Sequence, residues 1–200
     1  MKTIDYYFSP QSPWSYLGHD RLLSIATRFG AAVQPRPFAL TNAVFPVSGG
    51  LPLKQRAPQR QAYRLVELKR WSEYLGVPLN IHPKHFPVAN DEPASLMIAA
   101  AIKHAGNDAA LHLIGAVFRA VWVEDRNILD ADTLIQLGNE CGLDGALLYQ
   151  ACEDARHIYD ENTQRALEQQ VFGAPWYVYK DEPFWGQDRL PFLERALEAG

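Results

Sequence analysis

The sequence predicts an α/β fold in which one small sheet is built from both ends of the chain around a long helical insertion. Three observations predict it. Residues 1–40 run from a short β-prone segment through helical periodicity to a second β-prone segment. Residues 172–200 hold two short β-prone segments and a final apolar-periodic one. Almost everything between carries helical spacing, and neither end has enough strands to be stable alone. The expected division is therefore 1–40 plus 172–200 for the sheet-bearing unit and 41–171 for a loop and helical insertion.

Each element has a local reason. Ile4-Asp5-Tyr6-Tyr7-Phe8 is aromatic and β-prone, as in a buried strand. Ser9, Pro10, Ser12 and Pro13 form a turn, and Ser12-Pro13 has the form of an N-cap followed by proline in the first helical position. Trp14, Leu17, Leu22, Ile25 and Ala26 continue that helix to Phe29, and Gly30 suits a left-handed C-terminal residue. Ala32 to Phe38 reads as a strand whose two prolines favour an edge or an early end. Residues 41–59, with Pro46, Ser48, Gly49, Gly50 and Pro52, read as a long loop, a feature more often functional than decorative. Helices are expected over Gln59–Leu75, Glu92–His104, Ala109–Val123, Asp132–Cys141 and Gly145–Gln170, the last broken, with Asp130 or Asp132 as a cap. Trp176 to Tyr179 and Glu182 to Trp185 make a hairpin turning at Lys180-Asp181, and Leu190, Phe192, Leu193 and Leu197 mark a final helix.

Composition narrows the function. The net charge of −4 comes with no Lys/Arg-rich block, so the positive field that a nucleic-acid binder needs is missing. No apolar run approaches the roughly 20 residues that span a bilayer. Met1-Lys2 leads into Tyr6, Tyr7, Phe8 and Pro10, which is no secretory signal, so the cytoplasm is the expected compartment. Cys141 and Cys152 are too far apart for a metal or dithiol pair and read as small buried hydrophobes. His82 and His85 flank Pro83 without a third ligand nearby, so no metal site is expected. Ser12 has no evident His-Asp partner pair, which disfavours triad hydrolysis.

Three segments then fall in a telling order: Ser12-Pro13-Trp14-Ser15-Tyr16, Gly173-Ala174-Pro175 and Trp185-Gly186-Gln187-Asp188-Arg189. With the element order β-α-β, helices, β-β-α, they resemble a thioredoxin fold carrying a DsbA-type helical insertion. The segments resemble those of the 2-hydroxychromene-2-carboxylate isomerase family and, more distantly, of kappa-class glutathione transferases. The resemblance covers nearly the whole chain. It implies glutathione as a cosubstrate, with a serine standing where disulfide oxidoreductases carry a cysteine.

The residue roles follow from that resemblance. Ser12, at a helix N-terminus whose free N–H groups favour an anion, would donate a hydrogen bond to a glutathione thiolate and lower its pKa from about 8.5. Pro175 would be cis, leaving the Ala174 backbone to pair with a peptide laid alongside. Gln187 and Asp188 would offer backbone N–H groups to the γ-glutamyl carboxylate, Asp188 would accept from the α-amino group, and Arg189 completes that segment. At the glycine end the family's lysine corresponds to Arg60, with Lys54 and Arg56 as competitors; the family's asparagine has no counterpart, since Gly49 and Gly50 fall near it. The activity implied is glutathione-dependent cis–trans isomerisation of a small aromatic-degradation intermediate. Conjugation of glutathione to an electrophile, a non-catalytic binding module and disulfide exchange are the alternatives, the last lacking a cysteine at the helix start. A homodimer is common among such relatives.

Overall fold

The computed structural model describes residues 2–200. Its single sheet has the strand order β2-β1-β3-β4, formed by β1 (Lys2–Phe8), β2 (Ala31–Pro37), β3 (Trp176–Tyr179) and β4 (Glu182–Trp185). β1 runs parallel to β2, with Ile4 opposite Val33, and antiparallel to β3, with Tyr6 opposite Tyr177. A parallel neighbour requires a crossover, supplied by α1 (Pro13–Arg28). The two ends of the chain thus close one sheet with β1 inside it. β3 and β4 form the expected hairpin, and Lys180 and Asp181 both take positive φ (50° and 64°), the signature of a two-residue turn matched to strand twist.

Alternation along β1 sends side chains to two different cores. Ile4, Tyr6 and Phe8 enter the larger one, where Tyr6 stacks on Tyr177 at 5.5 Å and Phe8 meets Phe118 edge-on at 6.0 Å. Burying each such ring stabilises the fold by about 1.5–3 kcal/mol. Tyr7 points the other way, against Phe38, Val44, Ala166 and Trp176.

The insertion contains α2 (Phe45–Ser48), α3 (Pro58–Leu75), α4 (Glu92–Ala105), α5 (Asn107–Trp122), α6 (Ala131–Glu140), α7 (Gly145–Gln150) and α8 (Arg156–Glu168), and α9 (Leu190–Ala199) ends the chain. The break expected within 145–170 falls between α7 and α8, and Asp130 is the cap of α6, accepting from the Thr133 N–H at 3.1 Å. One expectation is corrected. Residues 41–59 are not a plain loop: a π-helical turn (Leu40–Val44), α2 and a 3₁₀ turn (Leu53–Gln55) occupy much of them. The buried Val44 anchors this stretch to the smaller core, and such short turns carry no periodicity to read.

Candidate active site

Ser12 caps α1. Its backbone is extended (φ −75°, ψ 119°), and its Oγ accepts from the Ser15 N–H at 3.2 Å. Pro13 fills the first helical position, where a missing N–H leaves nothing unsatisfied. Such a cap is worth about 1 kcal/mol. The same hydroxyl donates its proton to the Ala174 carbonyl over 3.5 Å, the far limit of a hydrogen bond. Capping therefore uses a lone pair, while the proton is held loosely and is open to a better acceptor. No acidic side chain lies in the first turn of α1, so the positive end of the helix is not neutralised from within.

The turn before Ser12 is tied down on the insertion side. The Ser9 hydroxyl donates to the buried carboxylate of Asp91, and the Val88 N–H donates to Gln11 Oε1 at 3.2 Å. Within the turn, the Ser12 N–H reaches the Ser9 carbonyl at 2.9 Å. Burial raises the Asp91 carboxyl above the ordinary aspartate range, and hydrogen bonds from Ser9 and Gln11 oppose that rise. Sequence reasoning missed Asp91. It stands just before α4 like a cap yet makes no capping bond, and its partner is 82 positions away.

On the sheet side the Ala174-Pro175 bond is cis, as the resemblance implies. The Pro175 carbonyl accepts from the Gly186 N–H at 2.9 Å, which joins the third segment to the second. Residues Gln187–Arg189 form one 3₁₀ turn leading into α9. Its first hydrogen bond is from the Arg189 N–H to the Gly186 carbonyl, so the Gln187 and Asp188 N–H groups precede any helical partner. Gln187 is buried and its Oε1 accepts from Arg21 of α1 at 2.7 Å. Gly18 permits that approach: a Cβ there would lie 2.8 Å from the Tyr177 hydroxyl and 2.9 Å from Gln187 Cβ. The Asp188 carboxylate is half-exposed and pairs with Arg189 at 2.5 Å.

The structure thus places Ala174 within reach of Ser12 at the start of α1, ties Pro175 to Gly186, and sets Gln187 against Gly18 and Arg21 farther along the same helix. It does not bring Arg60 into contact with them. Arg60 is exposed in the first turn of α3, with no side-chain hydrogen bond or ion pair among the described residues. Lys54 is also exposed, and Arg56 folds back onto the Leu51 carbonyl at 2.8 Å. Neither cysteine stands in the turn that starts α1: they lie at the end of α6 and just after α7, and burial pushes both thiols up, Cys152 to about 11. A cavity of about 260 Å³ between α1, α5 and α6 is lined by Tyr16, His19 and Arg119, among others, but by none of the expected site residues. Among the described residues there is no cluster of three metal-ligating side chains, and no helix is long and apolar enough to cross a membrane.

Residues 3–198 match the family model of the DSBA-like thioredoxin domain. A 2-hydroxychromene-2-carboxylate isomerase of Pseudomonas putida is 32% identical over 197 residues, 97% of this chain and 93% of that protein. The chain belongs to the 2-hydroxychromene-2-carboxylate isomerase family. A solved structure of a 2-hydroxychromene-2-carboxylate isomerase superposes with a TM-score of 0.83 at 28% identity, over 98% of this chain and 95% of that one. The glutathione S-transferase kappa 2 of Caenorhabditis elegans is 23% identical over 95% of this chain and 89% of its own. Membership of the isomerase family supports a catalytic role.

Proposed function

We propose that this chain is a glutathione-dependent cis–trans isomerase acting on a small aromatic-degradation intermediate. The observation that carries the reading is the Ser12 hydroxyl, capping α1 with a lone pair while its proton rests on a long contact to Ala174. Glutathione fits the groups around it. The Gln187 and Asp188 N–H groups precede their turn's first hydrogen bond, as an α-carboxylate requires, and the Asp188 carboxylate is open to an ammonium group. Arg189 orients that carboxylate. The Ala174 backbone lies within reach of Ser12 and can pair with an extended peptide. Arg60 serves the glycine carboxylate as an exposed cation.

When bound, glutathione supplies a thiolate that adds to a conjugated carbon, permits rotation about a carbon–carbon bond and leaves unchanged. The chain's part is electrostatic. The Ser12 proton turns from Ala174 to the sulfur, and the start of α1 adds a positive potential. The cytoplasm, where glutathione keeps thiols reduced, is the compartment this reading implies. The test is to follow 2-hydroxychromene-2-carboxylate absorbance with and without glutathione. Isomerisation that needs glutathione without consuming it supports the reading, and equal rates without glutathione would defeat it. The similarity to a kappa transferase favours a second reading, conjugation to an electrophile, in which glutathione disappears stoichiometrically.

A further inference from the structure

One side chain joins the helix that carries Ser12 to the turn that carries Gln187 and Asp188. Arg21 lies on α1, one turn beyond Gly18, and its Nη1 donates to the Gln187 side-chain Oε1 at 2.7 Å and to the Gln187 backbone carbonyl at 3.3 Å. Among the described residues Arg21 makes no other side-chain hydrogen bond and no ion pair. Gln187 is 2% exposed, so its amide oxygen depends on a protein donor. Its carbonyl is short of one too: four residues on stands Pro191, which has no N–H to complete a helical bond. Arg21 answers both oxygens with a charged donor from 166 positions away.

The consequence falls on the next residue. The Gln187 carbonyl and the Asp188 N–H belong to one peptide unit, which is planar and trans, so the two groups point in opposite directions. Turning the carbonyl toward α1 therefore turns the Asp188 N–H away from it. A cationic donor on the carbonyl oxygen also polarises the unit and makes its N–H a stronger donor. That N–H belongs to an exposed residue and precedes the first hydrogen bond of its turn, from the Arg189 N–H to the Gly186 carbonyl. Gly18 lets the clamp close, since a Cβ there would stand 2.9 Å from Gln187 Cβ. Ser12 and Arg21 share one helix and stand about 13 Å apart along its axis, so α1 sets the span between the two ends of the site.

We infer that Arg21 is a positioning residue for the α-carboxylate of the γ-glutamyl group. It aims and strengthens the Asp188 N–H and fixes its distance from Ser12. This rests on the glutathione-dependent reading above and adds to it the residue that selects a thiol carrying a carboxylate at that distance. A clamp that only held the turn in place would favour no ligand over another.

The test measures, by calorimetry on the full chain, the binding of glutathione and of 4-aminobutyryl-cysteinylglycine, which is glutathione without the α-carboxylate. The wild type is expected to prefer glutathione at least about 10-fold. Arg21→Met is expected to weaken glutathione binding about 10-fold, the worth of a charge-assisted hydrogen bond, and to leave the analogue's affinity unchanged. Arg21→Gln, which keeps an N–H donor without the charge, should behave in the same way, and it serves should the methionine variant fail to fold. Arg21→Lys, which keeps the charge, should restore part of the preference. A wild type that binds both ligands equally overturns the proposal and leaves the glutathione-dependent reading in place. So does a preference that survives in Arg21→Met or Arg21→Gln, whether both affinities hold or both fall together. A wild type that binds no glutathione would overturn that reading and this proposal with it.

Discussion

The turn at Ser12 is held from two sides, and the two sides are built differently. On the sheet side the contacts are mostly backbone: the Ala174 carbonyl at the limit of hydrogen-bond length, the Pro175 carbonyl tied to Gly186, and N–H groups at the start of a 3₁₀ turn. On the insertion side a side chain takes part in each contact: the buried Asp91 carboxylate accepts from the Ser9 hydroxyl, and Gln11 Oε1 accepts from the Val88 N–H. Backbone groups can be offered to any extended peptide. Buried charges answer to particular partners and leave a large penalty when mismatched. On the function proposed above, holding a peptide thiol falls to the sheet side and the selective task to the insertion.

The comparison breaks most visibly at Ser12, the residue both sides share. Ser12→Ala is expected to lower isomerase turnover about 100- to 1000-fold, as for loss of an oxyanion-hole donor. It should cost only about 1 kcal/mol of stability through the lost cap, so unfolding and activity measured on one preparation separate the two roles.

The next effect is on stability against pH, where two buried groups act in opposite senses. Burial lowers His19 to about 4 against an unfolded value near 6.5, although the Leu111 carbonyl at 3.1 Å opposes this. As pH falls from 6.5 toward 4 the unfolded chain takes up a proton that the folded chain refuses, and stability drops by about 3 kcal/mol. Asp91 is raised instead, so as pH falls through its folded value the folded chain gains the proton first and stability rises. Urea titrations should show His19→Phe removing the acid-side loss and Asp91→Asn removing the opposing gain. Identical curves for the wild type and both variants would contradict these assignments.

Gly18→Ala sharpens the sheet side. Its Cβ would press on Tyr177 and Gln187, so a loss of about 1–3 kcal/mol is expected together with weaker glutathione binding, read by calorimetry. The smallest effect is expected at the cysteines. Cys141→Ala with Cys152→Ala should leave turnover within about 2-fold, since neither thiol is placed or ionised for exchange.

What could be read in advance divides along the same line. The sheet side depends on local chemistry: Ser-Pro at a helix start, a two-residue hairpin turn at Lys180-Asp181, and Asp130 ahead of α6. Local preferences write themselves into short stretches of sequence. The insertion side depends on contacts between distant segments. The partnership of Asp91 with Ser9 spans 82 positions and leaves no periodic trace. Nothing in its own stretch of sequence marks Arg64 as lying over Phe86 and Trp122, which are 22 and 58 positions away. Arg60, found through the resemblance alone, is exposed and makes no side-chain hydrogen bond or ion pair among the described residues. The 41–59 stretch departs from the loop its composition predicts because its turns are shorter than any period that could reveal them.

On the proposed function, Ser12 holds another molecule's sulfur as a thiolate. The direct measurement is the pH titration of bound glutathione's thiol by its thiolate absorbance, in the wild type and in Ser12→Ala. The bound thiol is expected to ionise well below its reference of about 8.5 in the wild type and to return toward that value in the variant. The same titration curve in both proteins would contradict it.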